Sequence, residues 1–369
     1  MATESGGTPP DAANFRRPIL DMHPYKPPLE GRTEEDFLLL DFNERTTRPH
    51  PLVLQAFMTY AQRGELQIYP EYGDLDKVIA NYAGVKPGEI IPTLGGDQGI
   101  DIVTRALVKD GDRVIIPQPT FAMLEQSANV QGAEIVTPKY REPNLTFPFE
   151  EVMEAIEPGI KMVVLCNPNN PTGTPILKEQ SEGIIQAAGN VGAGVLVDEA
   201  YHEFAPDLTV ADLINEYPYI FIVRSLSKSM GISSLRAGYV ISSKRNIAEL
   251  RKIRGPYDIP TPTAEVIKTL RHPEVVEDIN RYVEEVMNVS KPKVEAFYRK
   301  NAIPFYPSMA GFHLLEEPEL CDFLRTKEGQ RILIRPRSHP PGTVRVSLGT
   351  EEDTDKYLEA FREFIQRNK

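Results

Sequence analysis

The sequence has few of the features that mark secreted, metal-binding or membrane proteins. Its two cysteines, Cys166 and Cys321, and its six histidines lack the spacing of metal ligands, so neither a disulfide framework nor a metal site is predicted. No apolar run is long enough to span a bilayer, and the N-terminus, MATESGGTPPDAANFRRP, lacks the apolar core of a signal peptide. A cytoplasmic location is therefore the default expectation.

Positive charge is also scarce. Lysine and arginine number 41 against 53 acidic residues, which gives a formal net charge of −12. No global basic field exists to hold a nucleic acid or an anionic membrane surface, so neither partner is expected. The 369 residues are 41% hydrophobic and 25% charged, as in ordinary globular proteins, and this length allows two or three domains. Small molecules are the expected partners.

One short stretch, RSLSKSMGISSLRAGY from Arg224 to Tyr239, concentrates reactive and anion-binding side chains directly after an apolar, strand-like segment. Lys228 is a candidate nucleophile, because a desolvated amine can form a Schiff base with an aldehyde. Ser225, Ser227 and Arg236 offer hydrogen bonds and positive charge to a phosphate. A surface lysine in a serine-rich turn is the alternative interpretation of the same residues.

Apolar strand-like runs alternate with helical patterns before and around this stretch. The order of RVIIP, a helix to about Gln131, AEIVTP, KMVVLC, a further helix, GVLVD and YIFIV predicts an α/β domain with a mostly parallel sheet. Polar loops, GGDQG and NPNNPTG, and the acid Asp198 fall at strand ends or helix starts, where open α/β sheets place ligands. Asp198 follows an apolar strand and would need a cationic partner.

The character of the chain changes after the turn GPYDIPTPT. A long charged helix is predicted from about Pro273 to Lys300, with an interruption at Pro292. FHLL, RILIRP and VRVSLGT are predicted strands, and a helix begins near Thr350, which has the capping-box spacing with Asp353. The C-terminal part is therefore predicted to be a smaller α+β domain.

Four motifs, GGDQG, NPNNPTG, DEAY and SLSKSMGISSLRAGY, occur in this order, and together they are far more specific than any one of them. In this respect the chain resembles the fold type I aminotransferases that use pyridoxal phosphate. It is most similar to the histidinol-phosphate aminotransferase subgroup, from HPYKP to VRVSLGT.

The resemblance implies an aspartate aminotransferase-like fold with a seven-stranded type of sheet and a smaller α+β domain. It places an N-terminal arm and part of the small domain in residues 1–44, the cofactor-binding domain in 45–265 and the small C-terminal domain in 266–369.

Cofactor contacts follow from the resemblance, motif by motif. Lys228 resembles the lysine that binds pyridoxal phosphate covalently and then moves the substrate proton. Asp198 matches the aspartate that pairs with the pyridine nitrogen and keeps it protonated. Tyr201 and Asn170 match the donors to the phenolic oxygen of the cofactor.

The phosphate group is matched by a second set of residues. They are the side chains or amides of Gly96, Asp97, Ser225, Ser227 and Arg236. Tyr69 resembles the tyrosine that a neighbouring subunit sends to this phosphate, which implies a homodimer.

Substrate contacts are implied at three further positions. Arg345 resembles the arginine that binds the α-carboxylate of the amino donor. Arg335 and Tyr25 resemble residues that reach the substrate phosphate in the histidinol-phosphate branch. Arg335 and its neighbour Arg337 could equally be solvated surface charges.

The sequence departs from the subgroup near the substrate. Phe121 stands where a tyrosine usually stacks on the cofactor ring, so the stacking surface remains and a hydroxyl is missing. DFNERTTRPHP replaces the usual asparagine-glutamate-asparagine-proline stretch, and Gly311 stands where an asparagine is common. These departures affect the substrate assignment and leave the cofactor assignment intact.

The leading functional hypothesis is an aminotransferase that moves an amino group between a small-molecule donor and a keto acid, with histidinol phosphate and 2-oxoglutarate as the first pair to test. Enzymes with the same cofactor but another substrate, such as aromatic aminotransferases or threonine-phosphate decarboxylases, remain alternatives. A non-catalytic module that binds pyridoxal phosphate is a further alternative from a different class.

Overall fold

The structure is a computed structural model that describes residues 15–24, 28–29, 31–327 and 331–368. Tyr25, a predicted substrate contact, and the predicted N-terminal arm over the first dozen residues lie outside the described residues. No helix in the described ranges is long and apolar enough to cross a membrane.

The strands follow one another along the described chain in three sheets. In chain order they are β1 (Phe37–Leu39), β2 (Ile90–Leu94), β3 (Arg113–Ile115), β4 (Glu134–Val136), β5 (Ile160–Cys166), β6 (Gly194–Asp198), β7 (Ile220–Ser225), β8 (Ala237–Ser242), β9 (Phe312–Leu315), β10 (Arg331–Leu333), β11 (Arg335–Arg337) and β12 (Thr343–Ser347).

The helices surround these sheets. In chain order they are α1 (Arg17–Leu20), α2 (Pro51–Arg63), α3 (Leu75–Ala83), α4 (Gly95–Leu107), α5 (Ala122–Gln131), α6 (Phe149–Ala155), α7 (Lys178–Asn190), α8 (Lys244–Leu250), α9 (Thr261–Ile267), α10 (Pro273–Glu285), α11 (Lys291–Lys300), α12 (Leu320–Thr326) and α13 (Glu351–Arg367).

The largest sheet of the described residues has seven strands in the order β2-β8-β7-β6-β5-β3-β4. Strands β4, β3, β5, β6 and β7 run parallel, while β8 is antiparallel to both of its neighbours. Helices that connect parallel strands must cross a face of the sheet. The predicted α/β class and the mostly parallel seven-stranded sheet are confirmed.

Both faces of this sheet are buried, as the uninterrupted apolar strands predict. On β5, Met162, Val164 and Cys166 pack into one core cluster, and Val163 and Leu165 pack into the cluster on the opposite face. Successive strand residues point to opposite faces, so a strand covered on both sides has to be apolar throughout. On β6 the one polar side chain, Asp198, is at the carboxyl end, where a ligand loop begins.

The smaller sheets hold the ends of the chain together. β11, β12 and β9 form an antiparallel sheet, and β1 pairs in parallel with β10. A separate core cluster packs α10, α11 and α13 against these strands, with Tyr298 and Phe361 among its fully buried members. The smaller α+β part is as predicted, whereas the boundaries at residues 44 and 265 stay a prediction.

Two local predictions need correction. RILIRP is not one strand, because β10 pairs with β1 and β11 pairs with β12. The long charged helix is interrupted before Pro292, at the π-helical segment Val286–Ser290, and Pro292 lies in the first turn of α11. A first-turn proline is tolerated because its missing amide hydrogen has no helical partner there.

The predicted capping box at the start of α13 is present. The Thr350 hydroxyl accepts a hydrogen bond from the Asp353 amide at 3.2 Å, and the Asp353 carboxylate accepts one from the Thr350 amide at 3.1 Å. These bonds satisfy two amides, one of them an unpaired amide of the first helical turn, and fix where the helix begins directly after β12.

Candidate active site

Three parallel strands end side by side at one edge of the large sheet. Cys166, the last residue of β5, lies opposite Asp198, and Asp198 lies opposite Val223 of β7. The loops that follow these strands therefore converge, since the carboxyl ends of parallel strands meet at the same edge. These loops carry NPNNPTG, DEAY and SLSK, three of the four motifs that the sequence singles out.

Lys228 follows β7 and points its amine toward the end of the sheet. Its Nζ donates a hydrogen bond to the Phe42 carbonyl at 3.0 Å and lies 5.8 Å from the ring centre of Tyr201. Burial and the positive charge of Arg345 lower the pKa of the amine to about 8. An amine with this pKa is neutral, and hence nucleophilic, in a useful fraction of molecules near neutral pH.

Asp198 is a buried carboxylate at the end of β6, with only 3% of its surface exposed. It accepts a hydrogen bond from the Ala200 amide at 3.1 Å, and the Cys166 thiol lies 3.8 Å from its other oxygen. Burial and the negative charge of Asp97 raise its pKa to about 7. A buried carboxylate gains most from a cationic partner, and the protonated nitrogen of a pyridine ring is one.

Asn170 and Tyr201 lie beside this pair and connect it to the small sheet. The Asn170 side-chain oxygen accepts a hydrogen bond from Arg345 at 2.6 Å, and the Tyr201 hydroxyl accepts one from Asn43 at 3.0 Å. Burial raises the pKa of Tyr201 to about 12, so its hydroxyl stays protonated and can act as a donor.

Small residues and hydroxyls line the adjacent phosphate-binding region predicted from the sequence. The Ser225 hydroxyl accepts a hydrogen bond from the Ser227 amide at 3.2 Å, and α4 begins at Gly95, where a Cβ atom on the next residue, Gly96, would lie 4.0 Å from the Ser225 Cβ atom. Gly95 has φ of 69°, and a Cβ atom there would lie 2.7 Å from an Arg236 nitrogen. Only glycine allows Arg236 to approach the helix so closely.

Several donors of this region fit a phosphate. The Ser227 hydroxyl is buried and has no hydrogen-bond partner among the described residues. Arg236 donates to the Asp97 carboxylate at 3.0 Å, and both side chains are nearly half exposed, so the guanidinium can also bind an incoming anion. Amides at a helix start, a buried hydroxyl and a guanidinium are the donors that phosphates require. The residues present fit pyridoxal phosphate.

Arginines gather on the other side of Lys228. Arg345 on β12 lies opposite Arg335 on β11, and it donates to the Asp41 carbonyl at 2.6 Å. Burial and the positive charges of Arg337 and Arg335 lower the pKa of Arg345 to about 10, so it remains charged at neutral pH. Clustered positive charges of this kind attract an anion.

The Phe42 ring lies between two arginines. The Arg335 guanidinium is 4.8 Å from the ring centre and that of Arg32 is 4.9 Å from it. Arg32 also forms salt bridges with Asp41, at 2.8 Å, and with Glu44. Two carboxylates therefore engage Arg32, while Arg335 and Arg345 lie opposite each other on β11 and β12, where two guanidiniums can face one substrate anion.

Two predicted contacts lie at the margin of this arrangement. Phe121 directly precedes α5 and is half-buried against the core. Tyr69 is 74% exposed and stacks on Tyr257 of the same chain at 4.5 Å. The roles of Phe121 and Tyr69 stay predictions.

The structure adds a segment that the sequence motifs do not point out. Residues 40–45, here called the strap, leave β1 and cross the site, so that the Phe42 carbonyl reaches Lys228 and Asn43 reaches Tyr201. The sequence marks this segment only as the start of the departure DFNERTTRPHP, which follows an apolar strand, and does not predict its contacts with Lys228 or Tyr201. In the described ranges, no group of histidine, cysteine and acidic side chains could hold a metal ion.

Comparison with known proteins identifies the class. Residues 35–361 match the family model of class I and II aminotransferases, so the chain belongs to this family. It is an enzyme that transfers amino groups, and the predicted class and its cofactor, pyridoxal phosphate, are confirmed.

Individual relatives are more specific. Histidinol-phosphate aminotransferase of Sulfurisphaera tokodaii is 31% identical over 339 residues, which cover 90% of this chain and 91% of that protein. The histidinol-phosphate aminotransferase of Sinorhizobium meliloti, solved in complex with pyridoxal-5'-phosphate, superposes with a TM-score of 0.83 at 22% identity and covers 97% of this chain and 99% of that one.

L-threonine-O-3-phosphate decarboxylase of Porphyromonas gingivalis has the same fold, with a TM-score of 0.75 at 20% identity over 89% of this chain and all of that one. Aspartate aminotransferase of Thermotoga maritima also superposes, with a TM-score of 0.75 at 22% identity over 90% of this chain and 92% of that one, which confirms the aspartate aminotransferase-like architecture. A fold shared by enzymes with different substrates does not identify the substrate of this chain.

Proposed function

We propose that this enzyme transfers an amino group between histidinol phosphate and 2-oxoglutarate. The observation that carries the proposal is the placement of Arg335 and Arg345 opposite each other on neighbouring strands, with Arg345 so close to Lys228 that, besides burial, its charge lowers the pKa of that amine. One arginine suits the carboxylate of an amino acid, and the second suits the phosphate of histidinol phosphate. The name of the relative from Sulfurisphaera tokodaii supports the same substrate.

Each site residue then has a separate role in binding the cofactor or in moving the substrate proton. When bound, pyridoxal phosphate supplies an electron sink for the substrate carbon that loses its proton. Lys228 anchors the cofactor and moves that proton, for which a pKa of about 8 is well suited. Asp198 keeps the pyridine nitrogen protonated, and Asn170 and Tyr201 donate to the phenolic oxygen.

The phosphate of the cofactor is assigned to a separate group of residues. They are the amides of Gly96 and Asp97 and the side chains of Ser225, Ser227 and Arg236, with Phe121 stacked on the ring. Tyr25 stays a proposed contact of the substrate phosphate.

A substrate screen tests the proposal. Candidate amines are added singly to the purified enzyme while the visible absorption of the bound cofactor is followed. Histidinol phosphate should bleach this absorption faster than histidinol, aromatic amino acids or threonine phosphate. Indifference to histidinol phosphate, with rapid conversion of another amine, would refute the substrate assignment but not the aminotransferase class.

Arg335 can be tested by the preference for a phosphate. In Arg335→Gln, the ratio of kcat/KM for histidinol phosphate to that for histidinol should fall at least about tenfold, because one charge-assisted hydrogen bond is lost. Arg331→Gln is the matched control, since Arg331 pairs with Asp36 at 2.9 Å on the surface. An equal ratio in both variants would show that Arg335 does not read the phosphate.

We also propose a homodimer in which Tyr69 reaches the cofactor phosphate of the partner subunit. Five exposed apolar side chains precede Tyr69 within fifteen residues of sequence, and isolated chains rarely leave so many exposed. They are Leu54, Phe57, Met58, Leu66 and Ile68, each at least 39% exposed.

A groove of about 370 Å³ joins this surface to the loop after Lys228. Leu54 and Phe57 line one side, and Gly231 and Ile232 line the other. A subunit seated on the groove would therefore lie next to the cofactor loop, as a shared site requires.

Complementation tests the shared site. Mixed Lys228→Ala and Tyr69→Ala chains should recover activity that neither has alone, because each heterodimer keeps one site with both residues intact. Heterodimers that form without activity would contradict the role of Tyr69.

A cytoplasmic location is also proposed, in keeping with two free cysteines, and cell fractionation tests it.

A further inference from the structure

Asn43 makes three hydrogen bonds that link the strap to two other parts of the chain. Its side-chain nitrogen donates to the Tyr201 hydroxyl at 3.0 Å. Its backbone amide donates to the Ser347 hydroxyl at 2.9 Å, and that hydroxyl donates to the Asn43 side-chain oxygen, also at 2.9 Å. All three residues are buried, with 7% or less of each exposed.

The Ser347 hydroxyl takes part in two of these hydrogen bonds. Its oxygen accepts from the Asn43 backbone amide, and its single hydrogen is donated to the Asn43 side-chain oxygen. The amide group of Asn43 is thereby oriented with its nitrogen toward Tyr201. Because the Tyr201 oxygen accepts this hydrogen bond, its own hydrogen is directed elsewhere, toward the site.

Backbone geometry also favours asparagine at this position. Asn43 has φ of 54°, in the left-handed region that asparagine enters more easily than most residues. Neighbouring strap carbonyls are fixed as well. Leu40 accepts from the Ser347 amide at 2.9 Å, and Asp41 accepts from Arg345 at 2.6 Å. The strap is therefore held rigidly by β12, on which Arg345 and Ser347 both lie.

We propose that Asn43 is a positioning residue which, held by Ser347, directs the Tyr201 hydroxyl to donate to the phenolic oxygen of the cofactor. A tyrosine hydroxyl that accepts a hydrogen bond is also a stronger donor, since hydrogen bonds in a chain polarise one another. The inference rests on the proposed role of Tyr201 and extends it to a residue that none of the four motifs contains.

The readout is the pH at which the visible absorption of the lysine-bound cofactor changes, here called the spectral midpoint. A donor to the phenolic oxygen stabilises the form in which this oxygen carries most negative charge, and so lowers the midpoint. Tyr201→Phe removes the donor and should raise the midpoint. This variant sets the reference, and an unchanged midpoint would refute both the role of Tyr201 and the present inference.

Asn43→Gly is the main test, because glycine keeps the left-handed backbone and deletes only the amide. The midpoint should rise by about half a pH unit, and Ser347→Ala should raise it by less. In the Tyr201→Phe background, Asn43→Gly should cause no further rise. A normal midpoint in Asn43→Gly, alongside a raised one in Tyr201→Phe, would overturn the inference alone.

Asn43→Asp covers the case in which the glycine variant folds poorly. A carboxylate oxygen in place of the amide nitrogen accepts the Tyr201 hydrogen and turns the donor away, so the midpoint should rise by about one pH unit. The added negative charge by itself raises the midpoint a little, even when Tyr201 has no hydroxyl. Part of the rise, but less than half of it, should therefore persist when Asn43→Asp is combined with Tyr201→Phe. A merely structural Asn43 would instead lower the melting temperature and give equal rises in both backgrounds.

Discussion

The two sides of the active site are built in different ways. On one side, Asp198, Ser225, Ser227 and Lys228 belong to adjacent strands of a single sheet and the loops that follow them. On the other side, the strap, β11 and β12 bring together residues 304 positions apart in the chain, such as Asn43 and Ser347. The first side is a consequence of sheet topology, and the second depends on long-range packing.

This difference in construction suggests a division of roles: the sheet edge carries the chemistry, and the strap side carries the substrate specificity. A buried parallel sheet fixes its strand ends within narrow limits, so a covalent anchor and its electrostatic partner keep their geometry. The strap side is built from a loop, two short strands and a cluster of arginines outside the large sheet, so substitutions there leave that sheet intact. The departures in DFNERTTRPHP and at Gly311 both fall on this second side.

The strongest test of this division is Lys228→Ala. Activity should fall at least about 10⁴-fold, because the variant loses both the covalent anchor and the proton carrier. Reduction with borohydride followed by peptide mapping should place the cofactor on Lys228 of the unaltered enzyme. Lys291 is the matched control, since burial lowers its pKa to about 8 as well and it lies in the small domain. If the cofactor were attached to Lys291, the sheet edge would not carry the chemistry, and the proposed division between the two sides would be wrong.

Arg345→Lys should have a smaller effect, confined to substrate binding. A lysine keeps the charge but loses the paired geometry with which arginine binds a carboxylate, so kcat/KM for the amino-acid donor should fall about 10²-fold. Most of the loss should appear in KM. If kcat fell as far as in Lys228→Ala, the division of chemistry from specificity would be wrong.

The smallest expected effect concerns the stability of the cofactor-free protein. The pKa of Asp198 is raised from 3.8 to about 7, so its contribution to stability is complete below about pH 4 and is lost as the pH rises through about 7. Asp198→Asn removes this dependence. As the pH rises from about 4 to about 7, the melting temperature of the unaltered protein should fall by about 2 °C more than that of Asp198→Asn.

The exposed carboxylate of Asp101, which is 41% accessible, provides the control for this experiment. Asp101→Asn should keep the pH dependence of the unaltered protein. If the melting temperature changed equally with pH in all three proteins, ionisation of Asp198 would not destabilise the fold. Asp198 would then lack the buried environment described above.

The sequence predicted the sheet and its ligand edge well, for a reason visible in particular residues. The strands MVVLC and VLVD are apolar without interruption up to their last residues, which is typical of a sheet covered on both faces. A polar residue at the end of such a strand is costly to bury unless it binds a partner or ligand. Lys228 and Asp198 could therefore be proposed as site residues from local sequence and from the resemblance that the motif order carries. Pro292 misled the helix prediction, because the break lies a few residues earlier, in a π-helical turn.

The sequence by itself determined the class of fold, the cofactor and the residues of the sheet edge, because these depend on strand periodicity and on short motifs. Tertiary structure alone decided the second side: the Phe42 carbonyl on Lys228, the arginine pair on β11 and β12, and the link from Ser347 through Asn43 to Tyr201. Contacts over such distances leave no periodicity in the chain. They exist only because burial of the two cores brings the strap, β12 and the sheet edge together.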